Sequence, residues 1–89
     1  MTEENKPLIE FPARFPLKIM GERHDEFAAI ILAVVQVHAP DTTEVDIVVR
    51  ESSGGRYLSL TVTVTATSQE QLDNIYRAVT SHPMAKYVL

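Results

Sequence analysis

From Leu58 to Thr67 every second residue is apolar: Leu58, Leu60, Val62, Val64 and Ala66 alternate with Ser59, Thr61, Thr63, Thr65 and Thr67. Successive side chains of an extended chain project to opposite faces, so this run predicts a strand with one apolar and one hydroxyl-bearing side. Its valines and threonines suit the pleated surface of a sheet. Five apolar residues on one face need a cover. A chain of 89 residues has room for a single core, so the cover has to come from helices of the same small domain.

Two segments carry the helical period. From Asp25 to His38, residues Phe27, Ile30, Ile31, Val34, Val35 and His38 recur at i, i+3, i+4, i+7, i+8 and i+11, one continuous face. Asp25 and Glu26 are expected in its first turn, where the positive end of the helix dipole favours acids, and Pro40 stops it. In the second, Ser68-Gln69-Glu70-Gln71 reads as a capping box, with Gln71 reaching back to the serine. Leu72, Ile75, Tyr76 and Val79 then share the inner face until His82-Pro83.

Three further strands are predicted. Phe15 to Gly21 alternates and ends in glycine. Pro16 lacks an N–H and therefore has to lie at a strand start or on an unpaired edge. Val45 to Arg50 places Val45, Ile47 and Val49 on one side and Asp46, Val48 and Arg50 on the other, and Ala85 to Leu89 closes the chain. Ser52-Ser53-Gly54-Gly55 is a hairpin turn whose glycines are free to take positive φ. The order strand, helix, strand, strand, helix, strand specifies an α+β ferredoxin-like plait (βαββαβ), a four-stranded antiparallel sheet with both helices on one face. Residues 1–7 read as a flexible tail and residues 8–89 as the single domain.

Composition narrows the function. Net charge is −4, which argues against nucleic acid and phospholipid surfaces as partners. No cysteine is present, which removes disulfides, thiolate metal sites and thiol catalysis and suits a reducing cytoplasm. Met1 to Lys6 has no apolar run after a basic start, unlike a secretory signal. The longest apolar stretch, Phe27 to Val35, is nine residues, against the roughly 20 that span a bilayer.

Leu8-Ile9-Glu10-Phe11-Pro12, the segment Phe15 to Gly21, His38-Ala39-Pro40, the Gly55-Arg56-Tyr57-x-Ser59 core and the closing Val88-Leu89 resemble the YbeD-like family of small bacterial proteins. The resemblance covers residue 8 to the C-terminus. It implies a fold similar to the ACT regulatory domain, a plait that in metabolic enzymes binds amino acids and pairs with copies of itself. In that domain the glycine after the first strand lets a ligand approach the first helix, and Gly21 occupies the matching place. The next residues, Glu22-Arg23-His24-Asp25, are more charged than the usual ACT loop.

The loop Gly21, Glu22, Arg23 and His24 is accordingly the candidate binding site, with Arg23 available to clamp a small carboxylate or phosphate at a helix N-terminus. The bland alternative is a solvated loop whose acids complement the dipole. A phosphate-handling, acylphosphatase-like enzyme around Arg23 is the rival function, although a glycine-flanked phosphate-wrapping loop is missing. His24, His38 and His82 lack metal-site spacing, and no cofactor or metal is expected. The outward positions of the third strand are Ser59, Thr61, Thr63 and Thr65, with Tyr57 alone at its start, unlike the aromatic stacking platforms of RNA-recognition modules.

The outer face of the first helix is Ala28, Ala29, Leu32, Ala33 and Gln36, uncharged where a solvated helix normally carries lysine and glutamate. Together with an edge strand presenting Val48, this gives Ala29, Leu32, Ala33, Gln36 and Val48 as the candidate interface for a homodimer or another protein partner. The favoured reading is a non-enzymatic regulatory module acting through a small ligand or a protein contact.

Overall fold

The alternating run forms one ten-residue strand, β3 (Tyr57–Ala66), with every residue from Leu58 to Ala66 on the apolar phase buried and those between them half-buried. The computed structural model describes residues 10–89. The tail assigned to residues 1–7 and the Leu8-Ile9 end of the family resemblance lie outside them.

β3 is flanked along its whole length by β1 (Ala13–Glu22), antiparallel from Ala13 opposite Ala66 to Glu22 opposite Tyr57. On its other side runs the short β2 (Ile47–Glu51), with Ile47 opposite Val62 and Glu51 opposite Leu58. β4 (Tyr87–Val88) adds to β1 at Met20 and Ile19, giving the order β2-β3-β1-β4. Two helices, α1 (Phe27–His38) and α2 (Gln69–Thr80), cover the apolar face. Phe27, Ile31 and Val35 from α1 and Leu72, Ile75 and Val79 from α2 join Leu17, Ile19, Leu60, Val62 and Val64 of the sheet in one core. This is the antiparallel plait that the element order specifies.

Pro16 sits in the middle of β1 without breaking it. Lys18 exchanges backbone hydrogen bonds with Leu89, so alternate residues including Pro16 turn their nitrogens toward the β4 side. β4 pairs with Ile19 and Met20, and among the described residues no strand lies beside the proline, where no donor is required.

Several boundaries differ from the sequence reading. β1 is longer than Phe15–Gly21 at both ends, because β3 offers partners from Tyr57 to Ala66. α1 starts at Phe27, so Asp25 and Glu26 precede the helix rather than occupying its first turn. Val45 and Asp46 are not strand: Glu44–Asp46 is a 3₁₀ turn closed by a capping box, in which Thr43 N–H donates to the Asp46 carboxylate at 2.9 Å. Val45 is consequently left 88% exposed. The closing strand shrinks from Ala85–Leu89 to two residues. Tyr76, placed on the inner face by periodicity, is largely exposed.

Ser68 caps α2 as expected, accepting from Gln71 N–H at 3.0 Å. Gln71 does not return to Ser68. Its Oε1 accepts from Thr67 N–H at 2.6 Å, one residue earlier, and its Nε2 donates to the carbonyl of His38 at 2.8 Å. That carbonyl lies in the last turn of α1, among groups the helix itself leaves without partners.

Candidate functional sites on the first loop and the helix–edge groove

Gly21 is buried at the end of β1, and its φ is not positive; Gly54 (φ 87°) and Gly55 (φ 69°) are the positive-φ glycines, both in the β2–β3 turn as expected. A Cβ on Gly21 would strike the backbone carbonyl of Met84 and lie 2.6 Å from the Phe27 ring. The glycine allows close approach, but what approaches is the protein's own chain.

The polar groups of the loop are likewise engaged with one another. Arg23 pairs with Glu51, Nη2 to Oε2 3.1 Å, and its Nη1 donates to the carbonyl of Gly55 at 3.4 Å. Its backbone N–H donates to Arg56 O at 2.9 Å, which ties the loop to the β2–β3 turn. The sequence offered no sign that residues 23, 51 and 55 meet. His24 Nδ1 accepts from Glu26 N–H at 3.0 Å and its carbonyl accepts from Phe27 N–H at 3.1 Å, shaping the turn into α1. Glu22 lies at the far side, 3.9 Å from Lys86. A cleft of about 270 Å³ passes Arg23 and His24, and the carboxylates of Asp25 and Glu51 line it with them.

His82 plays a comparable part after α2, its Nδ1 accepting from Met84 N–H at 3.2 Å. Among the described residues no group of three His, Cys, Asp or Glu side chains is placed to hold a metal ion.

A second concavity, about 400 Å³, runs between α1 and the edge strand. Ala28, Ala29, Leu32 and Ala33 form one wall and Ile47 and Val49 the other, with Asp25 and Glu44 lining it as well. Gln36 lines it too, its amide held by the carbonyl of Thr42 at 2.8 Å. The structure thus brings Ala29, Leu32, Ala33 and Gln36 together as one surface. Val48 does not join them. It lies opposite Thr61, on the outer face of the sheet, and Val49 takes its place in the groove. β2 is at the end of the strand order, so among the described residues its outer edge is unpaired.

The outer face of the sheet holds a feature that the sequence reading missed. Tyr87 falls opposite Met20, and Tyr57 opposite Glu22 two residues along β1, so both rings share a depression with Met20, Glu22 and Lys86. The sequence signal was the phase of Tyr87 relative to β1, which cannot be read until the pairing of β4 is known. At the opposite end of β1, Arg14 Nη2 contacts Asp46 Oδ1 at 2.7 Å while Nη1 donates to Thr65 Oγ1 at 3.0 Å. The Arg14 hydrogen bond, helped by the Thr43 N–H, holds the Asp46 carboxyl below its ordinary value of 3.8.

No described helix is long and apolar enough to cross a membrane. A family model described as "Protein of unknown function (DUF493)" matches residues 6–89. The chain is 67% identical over 89 residues to a UPF0250 protein of Chromobacterium violaceum, covering all of both chains. It is 59% identical over 87 residues to one from Janthinobacterium sp., covering 98% of this chain and 96% of that one. A UPF0250 protein of Neisseria gonorrhoeae is 57% identical over 91 residues, again with full coverage of both. Among solved structures, protein HP0495 from H. pylori superposes with a TM-score of 0.77 at 11% identity, over 100% of this chain and 93% of that one. The ACT domain of GTP pyrophosphokinase from Chlorobium tepidum does so with 0.61 at 15% identity, over 85% and 84%. At these identities the likeness to the two structures is one of fold.

Proposed function

The chain belongs to the DUF493, or UPF0250, family of small bacterial proteins with an ACT-like fold, and on that footing we propose that it is a non-enzymatic interaction module whose working surface is the groove between α1 and β2. The observation that carries this reading is the pairing of an uncharged helix face, Ala29, Leu32 and Ala33, with an unpaired strand edge bearing Val49, 48% exposed. A partner there gains apolar burial and backbone hydrogen bonds together. The partner is a protein surface, first of all a second copy of the chain.

The first loop fits this reading better than it fits a small anion or a phosphate-handling site. Arg23 already holds Glu51 and the Gly55 carbonyl, so an anionic ligand has to displace a carboxylate from the same guanidinium. Gly21 admits Met84 and Phe27 rather than a ligand.

Thermal unfolding in the presence of phosphate, phosphate esters and amino acids separates the alternatives, because a ligand that binds the folded state raises its Tm. The module reading expects no rise with these compounds and a Tm that increases with protein concentration. A Tm raised by phosphate or by an amino acid, and lost in Arg23→Ala, contradicts it.

A further inference from the structure

The free edge of β2 carries its own pairing rule. Ser52 N–H donates to Tyr57 O at 2.9 Å, and Ser52 continues the β2–β3 register by one step. Hydrogen bonding alternates along an antiparallel strand, so Val48 and Arg50, in phase with the Ser52 N–H, direct their N–H and C=O groups at β3. Ile47, Val49 and Glu51 direct theirs outward. One of the outward donors is already used: Ile47 N–H donates to Glu44 O, closing the 3₁₀ turn. Along the strand the edge therefore offers donors at Val49 and Glu51 and acceptors at Ile47, Val49 and Glu51.

We infer that two copies of the chain join their β2 edges antiparallel about a two-fold axis that passes beside Val49. The inference rests on the reading of the α1–β2 surface given above and fixes its partner and register. An axis perpendicular to the sheet keeps the helices of both copies on one side, and it requires that directly opposed residues share a face. The axis then has to pass beside a residue rather than between two. Beside Val49, Val49 N–H meets the partner's Val49 carbonyl, and Glu51 N–H meets the partner's Ile47 carbonyl, each with its symmetry mate. Both free donors are satisfied within Ile47–Glu51. Beside Val48, Ile47 would face Val49 of the second copy, but Ile47 has no free N–H, so the Val49 carbonyl would lose its partner at the centre of the interface. Beside Arg50, two guanidinium groups would be directly opposed. In the favoured register the two Val49 side chains meet on the helix side, where Leu32 and Ala33 of each copy extend the contact, and Val48 lies against the aliphatic stem of the second copy's Arg50.

The chain has no cysteine, so a single introduced cysteine can form only an intermolecular disulfide. Residues opposite themselves in a hydrogen-bonded pair have Cα atoms about 5.5 Å apart, within disulfide reach, whereas residues displaced by two along the partner are about 7–8 Å apart. Val49→Cys is expected to oxidise to a covalent dimer, Val48→Cys and Arg50→Cys alone to form no cross-link under the same conditions, and an equimolar mixture of those two to give the mixed disulfide. The same register predicts that Val49 and Glu51 amides exchange with solvent more slowly as the concentration of the unmodified protein rises. A dimer by sedimentation in which Val48→Cys cross-links to itself and Val49→Cys does not overturns the register while leaving the α1–β2 surface as the interface. A native chain that sediments as a monomer overturns both.

Discussion

Gln71, at the start of α2, donates its side-chain amide to the carbonyl of His38 at 2.8 Å, at the end of α1. The same side chain accepts from Thr67 N–H, so one residue closes the N-terminus of one helix and the C-terminus of the other. Both groups would otherwise have to find water beside the core. Gln71→Ala is expected to cost about 1–2 kcal/mol, as the loss of a cap and an interhelical hydrogen bond. Gln71→Glu keeps the acceptor for Thr67 but turns the His38 contact into two facing oxygens, so it should be no more stable than the alanine variant. Urea unfolding of the two variants checks this; an unchanged midpoint for Gln71→Ala would remove the linking role.

Gly21 is expected to be intolerant for a packing reason rather than a conformational one. The atoms that meet a new Cβ include the Met84 carbonyl, which is backbone and cannot swing aside, so Gly21→Ala should cost about 1–3 kcal/mol. Gly54 has no atom within 4 Å of a built Cβ but sits at φ 87°. Gly54→Ala should therefore cost about 1–2 kcal/mol through the left-handed backbone alone. Crystal structures of the two variants separate the causes, with movement of the Met84 segment expected for the first and none for the second.

The ion pair of Arg14 and Asp46 predicts an acid dependence. Folding lowers the Asp46 pKa, so the folded state binds this proton less readily than the unfolded chain. The resulting stability is fully present above the ordinary carboxyl value of 3.8 and is lost as pH falls through the lower folded value. A carboxyl carbon titration by NMR should show Asp46 titrating below 3.8, and Arg14→Ala should move it upward. An Asp46 midpoint that Arg14→Ala leaves in place would contradict the assignment of Arg14 as the main cause.

Thr63 lies opposite Pro16 on the face of the sheet away from the helices, diagonal to Arg14 and Lys18. Thr63→Glu should leave the fold intact and change stability by no more than about 0.5 kcal/mol. A collapse of the near-UV signal in this variant would mean that β3 is out of register.

Much of the architecture was legible because it rests on local periods. The Leu58–Ala66 alternation, the Phe27–Ile31–Val35 stripe and the glycines of the β2–β3 turn each announce their element within a few residues. Boundaries were less legible where a neighbour decides them. Ala13 and Glu22 are strand because β3 extends opposite them, and Val45 leaves the strand because the Thr43–Asp46 box winds the chain first. The α1 surface of the groove could be assembled from helical spacing alone. Its other wall could not, since the choice between Val48 and Val49 depends on which face of the sheet α1 covers. The contacts of Arg23 with Glu51 and of Gln71 with His38 join residues 28 and 33 positions apart, and nothing in local sequence encodes such distances.

Sedimentation equilibrium of the native chain and of Leu32→Glu, from low micromolar to high micromolar concentration, tests the α1–β2 interface most directly. Leu32 is half-buried in the groove wall and outside the α1 residues that fill the core, so the variant should fold with the native circular dichroism spectrum. A native dimer and a folded Leu32→Glu monomer are expected, because a carboxylate in the helix wall of the contact would be buried without a partner. A native chain that remains monomeric throughout, or a Leu32→Glu variant that dimerises as well as the native chain, would contradict it.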